Sequence, residues 1–303
     1  MPIRSRFIQR RRHAAFLLLA LSLVLVPSAS AGNWPGAKGG EATGEAPELL
    51  LTFDDGPHEE HTKSILDTLD EHRYQGVFFW TGRRVTNERS RLDERLALVE
   101  RAVRTGHLIG NHTSTHAKLC SVKELEAAQE IDDNRALFER LSGLPMLLFR
   151  VPYGARCKRL DAMLADRETQ HMHWDLDPQE FRHHSTEVAV QYVTRRLSRL
   201  ANGKRAILLM HDTQPVTAKA LPLILEWIRK ENARRAGALE AERDASPRKG
   251  RKPRAHKLPI RIITGSEFVE ERYPVPLLGF ARRGLREAAG AVRTAAMQIV
   301  PTP

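Results

Sequence analysis

Apolar and polar positions along most of this chain switch between two periods. Leu49 to Phe53 is an almost continuous apolar run, as a strand buried on both faces would be, and it stops at Asp54-Asp55-Gly56-Pro57, where the Gly-Pro pair breaks regular structure. Thr62 to His72 carries Ile65, Leu66 and Leu69 at helical spacing, and Gly76 to Trp80 is strand-like again. Leu92, Leu96, Val99 and Val103 mark a second helix that Gly106 can end, and His107 to Gly110 reads as a short strand. Ser121 with Glu124 has the capping-box pattern ahead of a helix to Ser142 closed by Gly143. Met146 to Phe149, His171 to Trp174, Ala206 to Met210 and Ile260 to Thr264 are further strands, separated by helices near Ala155 to Arg167, Ser185 to Leu200 and Ala218 to Arg243. Such alternation predicts an α/β fold, a distorted (β/α) barrel of about seven parallel strands, with a doubly wound open sheet as the alternative. After Thr264 the pattern weakens: Tyr273-Pro274-Val275-Pro276 is linker-like, and Leu285, Ala288, Val292 and Ile299 can share one side of a last helix.

The N-terminus changes the picture first. Arg4, Arg6, Arg10, Arg11 and Arg12 precede an apolar stretch from Ala14 to Val26 and then Ser28-Ala29-Ser30-Ala31, the layout of a secretory signal peptide with an Ala-x-Ala cleavage site. That stretch is shorter than the ~20 residues a bilayer span needs. The expected organisation is therefore a signal peptide over 1–31, a Gly/Ala/Pro-rich linker over 32–46, a catalytic domain over 47–268 and a C-terminal appendage over 269–303, exported to the periplasm or beyond with no transmembrane span after cleavage. The formal net charge of +11 suggests a polyanion binder, but it is accounted for by the five leader arginines and by Arg248, Lys249, Arg251, Lys252, Arg254 and Lys257. A basic insertion over 246–257 can attract an anionic glycan or lipid headgroup or be a solvated loop, and no basic face for nucleic acid remains. Cys120 and Cys157 belong to an exported chain, so they form a disulfide or stay as two thiols.

Candidate chemistry gathers at the carboxyl ends of the expected strands, where a parallel barrel places its active site. Asp54 and Asp55 follow the first strand, Asn111 to His116 the third, Arg150-Val151-Pro152-Tyr153 the fourth, Trp174 to Phe181 the fifth and His211-Asp212 the sixth. Taken alone, Asp-Asp-Gly-Pro is also ordinary turn chemistry. Adjacent carboxylates on an extended chain point opposite ways, so one can hold a metal while the other handles a proton. His112 and His116, four positions apart, would share one side of a helical turn, and with one carboxylate from Asp55 they make a two-His, one-carboxylate donor set for Zn²⁺ or another divalent transition metal.

Thr52-Phe53-Asp54-Asp55-Gly56-Pro57, His112-Thr113-Ser114-Thr115-His116, Arg150-Val151-Pro152-Tyr153 and Leu209-Met210-His211, in that order, resemble the motifs of the polysaccharide deacetylase family, the NodB-homology carbohydrate esterases. The resemblance spans about Glu48 to Thr264. It implies a distorted (β/α) barrel and metal-assisted removal of acetyl groups from N-acetylated sugars. By motif position it implies Asp54 as general base, Asp55, His112 and His116 as metal ligands, His211 as general acid, and Leu209 lining the pocket for the acetyl methyl. Arg150 would orient the base, held in turn by an acid of a motif whose family pattern is Asp-x-x-Asp-Trp. This chain reads Asp177-Pro178-Gln179-Glu180-Phe181 there, so Glu180 or Asp177 is expected on Arg150, and Phe181 with Pro152 and Tyr153 along the substrate wall. The implied cofactor is Zn²⁺ first, with Co²⁺, Ni²⁺, Mn²⁺ or Fe²⁺ as alternatives. The expected function is N-deacetylation of an N-acetylhexosamine polymer such as a cell-wall glycan, an exopolysaccharide or a chitin-type chain. An O-acetyl esterase on a glycan such as xylan, and a decayed glycan-binding protein, are the competing readings.

Overall fold

The computed structural model describes residues 39–87, 89–244 and 256–271. The expected signal peptide, the first part of the linker, residues 246–255 of the basic insertion and the tail from 272 onward lie outside the described residues.

Strand β1 (Glu48–Asp54) is buried along its whole length and lies at the centre of a parallel sheet. The other strands are β2 (Val77–Trp80), β3 (Leu108–Asn111), β4 (Leu148–Phe149), β5 (Gln170–His171), β6 (Arg205–His211) and β7 (Arg261–Ile263). Their order is β5-β4-β3-β2-β1-β6, with β6 paired to β1 from Glu48↔Arg205 through Asp54↔His211. On its other side β1 is shared: Glu48 to Leu50 pair with β7 and Thr52 to Asp54 with β2. The chain just after β5 returns to the far side of β6. There Leu176 bridges Leu208 and the Leu209 N–H donates to the Leu176 carbonyl at 2.9 Å, so the sheet closes into the expected distorted barrel rather than lying open.

The two-residue side-chain period sorts the core. Leu49, Leu51 and Phe53 pack outward against Ile65, Leu66 and Leu69 of α1 (His61–His72), Val99 of α3 (Leu92–Arg104) and Leu221 of α8 (Pro215–Asp244). Leu50 packs inward with Val77, Phe79, Met172, Ile207 and Phe268. Thr52 and Asp54 continue that inward row to the barrel mouth, and Glu48 begins it at the other end.

Between these elements lie α2 (Gly82–Thr86), α4 (Glu124–Ser142), α5 (Lys158–Asp166), α6 (Glu180–His183) and α7 (Thr186–Leu197), and α9 (Gly265–Glu270) follows β7. Gly143 closes α4 with φ 67° as expected, but the start differs: Lys123 is the cap residue, no side chain caps it, and Ser121 belongs to a separate 3₁₀ turn, Leu119–Ser121. Ser185 caps α7 by accepting from the Val188 N–H. A true capping box appears where the sequence pattern seemed to fail, at Thr264 and Glu267 of α9, so the βα alternation runs past Thr264. The strand expected over His171 to Trp174 is shorter because its chain turns toward β6. Residues 39–46, read as linker, hydrogen-bond to the barrel: Gly39 N–H donates to Asp175, and Ala42 N–H to the Gly203 carbonyl. No helix among the described residues is long and apolar enough to cross a membrane.

Candidate active site

The inward row of β1 ends at Asp54, which is 3% exposed. Its Oδ1 accepts from Arg150 Nη1 at 2.7 Å. Arg150, fully buried, also donates from Nη1 to Thr52 Oγ1 at 2.7 Å, from Nε to the Met172 carbonyl and from Nη2 to the His173 carbonyl, while the Phe79 ring lies 4.2 Å beneath its guanidinium. Donors are therefore assigned on every side, and the fork is locked at one orientation toward Asp54. Neither Glu180 nor Asp177 hydrogen-bonds to it among the described residues, contrary to the expectation for that motif. Asp177 Oδ1 instead accepts from the Gln179 N–H at 2.8 Å.

Asp55 leaves the strand with φ 78° and its carboxylate turns the other way. Its Oδ1 lies 3.4 Å from His112 Nε2 and 3.3 Å from His116 Nε2. The two histidines do come together, but not on a helix. They lie on the loop after β3, where Thr113 (φ 67°) and His116 (φ 64°) take left-handed conformations that fold the loop back on itself. The loop is held from behind by α4: Glu130 accepts from the Thr115 N–H and hydroxyl at 2.8 and 2.6 Å, and Asn111 Oδ1 accepts from Asn134 and from the Thr113 N–H. His112 Nδ1–H donates to the Arg150 carbonyl at 2.7 Å, which turns the Nε2 lone pair toward Asp55.

One donor atom from each of Asp55, His112 and His116 lies within 4.8 Å of the other two. Two aromatic nitrogens and a carboxylate oxygen converging with their lone pairs inward fit a divalent transition cation. The electrostatics agree. Burial would raise the Asp55 carboxyl, but the hydrogen bond to His112 and the charges of His112, His211 and His116 hold it well below the usual carboxylate range. Burial, together with the charge of His112, pushes His116 down to about 4, which leaves its imidazole neutral.

Across the mouth, His211 ends β6 with Glu180 behind it. Glu180, fully buried, accepts from the His211 N–H at 2.7 Å, from His211 Nδ1 at 3.0 Å and from Thr217 Oγ1 at 3.0 Å. Burial alone would lower the His211 pKa, but the bond and charge of Glu180, with Asp54 and Asp55 beyond, push it up to about 9. Glu180 thus serves the histidine rather than Arg150. The ring of Phe181 meets His211 edge-on with centroids 4.8 Å apart, Leu209 is buried beside them, and Tyr153, 69% exposed with φ 61°, leans on His116 at 4.5 Å. Pro152 is buried at the start of the turn that presents Tyr153.

Some residues important to this arrangement were given no role from sequence, Asp212 being named only as the neighbour of His211. Asp212 is fully buried, and its Oδ2 accepts from Thr62 Oγ1 at 2.6 Å and Trp80 Nε1 at 2.8 Å. Burial, with Asp55 and Asp54 nearby, raises it to about 7. It lies against Gly56, where an added Cβ would fall 2.1 Å from Asp212 Oδ2, so only glycine fits between the paired carboxylates and the proline. Its place directly after His211 was a usable signal; Glu130, in mid-helix, offered none. Cys120 and Cys157 form a disulfide that joins the end of the histidine loop to the start of α5.

A family model described as polysaccharide deacetylase matches residues 41–170. The chain is 32% identical over 172 residues to a chitooligosaccharide deacetylase of Sinorhizobium fredii, covering 56% of this chain and 74% of the relative. It is 29% identical over 178 residues to the peptidoglycan-N-acetylmuramic acid deacetylase PdaC of Bacillus subtilis, covering 59% of this chain but only 35% of that longer protein. In fold it superposes on the solved structure of PdaC with a TM-score of 0.56 at 22% identity, covering 83% of this chain and 98% of that one. The family match runs through the strands that carry Asp54, Asp55, the histidine loop and Arg150, and the chain belongs to the polysaccharide deacetylase family.

Proposed function

We propose that the protein is an exported, metal-dependent hydrolase that removes N-acetyl groups from an N-acetylhexosamine glycan. The observation that carries this reading is the division of the adjacent carboxylates: Asp54 is bound to Arg150, and Asp55 faces two imidazoles. Asp55, His112 and His116 hold the cation, Zn²⁺ being the best fit to a borderline N/N/O donor set, with Co²⁺, Ni²⁺, Mn²⁺ or Fe²⁺ as alternatives. When bound, the cation supplies Lewis-acid polarisation of the acyl carbonyl.

The chain's own groups do the rest. Asp54, kept in place by Arg150, takes the proton from the attacking water. The oxyanion then forms beside the turn at Tyr153, whose backbone N–H donates to it; a donor of this kind is typically worth about 3 kcal/mol. His211, kept protonated by Glu180, delivers a proton to the departing sugar nitrogen. Leu209 and Phe181 form the apolar wall for the acetyl methyl, and Tyr153 offers an exposed ring face to a sugar. The names of the relatives support the substrate class, and the basic, apolar and Ala-x-Ala order of the leader supports export.

The test is acetate release from acetylated chitooligosaccharides, peptidoglycan and acetylxylan, with chelator and with metal added back. Release from either of the first two that stops with chelator and returns with metal supports the proposal. Release from acetylxylan alone makes the protein an O-acetyl esterase, and no release from any of the three by the metal-loaded protein sinks the reading.

A further inference from the structure

The two histidine donors of the candidate metal centre are aimed by different means. The His112 ring is bonded from behind, through Nδ1 to the Arg150 carbonyl, and its backbone N–H donates to the Trp80 carbonyl at the end of β2. Nδ1 of His116 has no hydrogen-bond partner among the described residues, and its ring lies against the rings of Tyr153 and His112. A metal-binding imidazole is ordinarily oriented by a bond to its second nitrogen. The aim of His116 therefore has to come through its backbone.

That backbone is not one the chain would adopt unaided. Thr113 and His116 both take left-handed conformations, at φ 67° and 64°, which a β-branched residue such as Thr113 avoids most strongly. Such conformations persist where their surroundings over-determine them. On one side of the loop, the Gly82 and Arg83 N–H groups at the start of α2 donate to the carbonyls of Thr113 and Ser114 at 3.3 and 2.7 Å. On the other side stands Glu130, buried in the middle of α4. Its two carboxylate oxygens accept from the N–H and the hydroxyl of one residue, Thr115, at 2.8 and 2.6 Å, and its carbonyl accepts from the Ser114 N–H at 2.9 Å. One fork thus fixes both the position and the rotation of the residue directly before His116.

Glu130 forms no ion pair among the described residues. A buried carboxylate without a cation is a poor device for stability alone, since its desolvation is offset only by these bonds. What it does supply is short, charge-assisted bonds of fixed direction. Resting on the metal-centre part of the reading above, we propose that Glu130 is a positioning residue for the cation: acting through Thr115, it aims His116. Without it the site keeps Asp55 and His112 in place and loses the register of its third donor.

The experiment measures the Zn²⁺ Kd of the metal-free protein by competition with a chromophoric chelator, together with its melting temperature. Glu130→Gln keeps the size of the side chain and removes its charge, and it is expected to raise Kd about thirtyfold, within the range for loss of an outer partner of a ligand. Thr115→Val, which deletes one hydroxyl donor, should raise it by a smaller factor, and Thr115→Ser, which keeps that donor, should leave it at the wild-type value. Glu48→Gln, at the other end of the barrel, is the stability control: it lowers the melting temperature and leaves Kd unchanged. In the His116→Ala background Glu130→Gln should change nothing further, since its effect passes through that ring.

A Glu130→Gln protein with the wild-type Kd, or an effect that persists in full without His116, overturns the positioning role and leaves the metal centre standing. An equal rise in Glu48→Gln shows general loosening and overturns it as well. If Glu130→Gln does not fold, the Thr115 variants decide, and equal Kd values for the Val and Ser proteins overturn the proposal. A wild-type protein that binds neither Zn²⁺ nor Co²⁺ sinks the metal centre itself, and the role of Glu130 with it.

Discussion

Strand β1 carries a buried carboxylate–guanidinium pair at each end of its inward face, and the two ends behave differently. At the amino end Glu48 accepts from Arg205 Nε at 2.8 Å, from Thr43 Oγ1 and from Arg261, and Arg205 reaches on to Glu271. Three acids, Glu48, Glu271 and Glu267, meet the guanidiniums of Arg205 and Arg261 there, and every carboxylate is paired with a guanidinium. At the carboxyl end Asp54 has Arg150 alone, while Asp55, Asp212 and Glu180 crowd the same mouth with only imidazoles, hydroxyls, an indole and backbone N–H groups as partners. Folding completes the first cluster. The second keeps an excess of carboxylate that it relieves by raising Asp212 to about 7, by protonating His211 and, on the reading above, by binding a cation. One strand thus holds a structural charge cluster and a chemical one, separated by Leu50 and Thr52.

The sharpest test exchanges a charge for an amide at each end. Asp54→Asn is expected to lower kcat by about 10³-fold, the middle of the range for loss of a general base. Glu48→Gln is expected to cost about 3 kcal/mol of stability in urea unfolding, because Arg205 loses a buried partner while keeping Glu271. Its kcat per folded molecule should stay within about twofold of wild type. The comparison breaks if Glu48→Gln slows turnover in the folded fraction as Asp54→Asn does.

The carboxyl-end cluster was largely legible in the sequence, and the amino-end one was not, for a physical reason. Asp54, Asp55, His112, Arg150 and His211 each lie at or just past the end of a strand-like run, so local pattern places them at strand ends. Glu48 and Arg205 sit at strand starts with nothing local to tie them, and their pairing depends on the β1–β6 register. The same limit explains the misplacement of Glu180: position after β5 puts it near the mouth, but whether it reaches Arg150 or His211 depends on how α6 packs beside β6. The histidine pair was anticipated through helical spacing, yet two left-handed residues in the loop bring the rings together.

Two smaller effects sharpen the contrast. Adding Zn²⁺ at about a hundred times its Kd should stabilise the wild type by about 2.7 kcal/mol in thermal unfolding, and do nothing for Asp55→Ala. Glu48→Gln should keep the full metal response, since its cluster is paired within itself at the far end of the strand. Gly56→Ala pushes a methyl into the Asp212 carboxylate and should cost about 2 kcal/mol of stability, together with most of the metal response, because the displaced turn carries Asp55. Wild-type metal stabilisation in the Gly56→Ala protein would show that the Asp212–Gly56 contact does not set the position of Asp55.

The smallest expected effect concerns Glu180, and it appears in the pH profile. His211 is pushed up to about 9 from an ordinary 6.5, so the protonated acid persists through neutrality and kcat/KM should fall only as pH rises through about 9. Glu180→Gln removes the largest contribution that raises it and leaves burial, which lowers it, against the charges of Asp54 and Asp55, so the alkaline limb should move down toward the ordinary 6.5. At pH 7.5 that predicts about a tenfold loss of rate, and at pH 5.5 little loss, because a group with pKa 6.5 is still mostly protonated there. Stability follows the same sign: a folded pKa above the unfolded value contributes fully below 6.5 and is lost as pH rises through about 9. The melting-temperature gap between wild type and Glu180→Gln should therefore be widest near pH 6 and narrow toward pH 10. A variant whose alkaline limb stays in place would mean that Glu180 holds His211 as Glu48 holds Arg205, for structure alone.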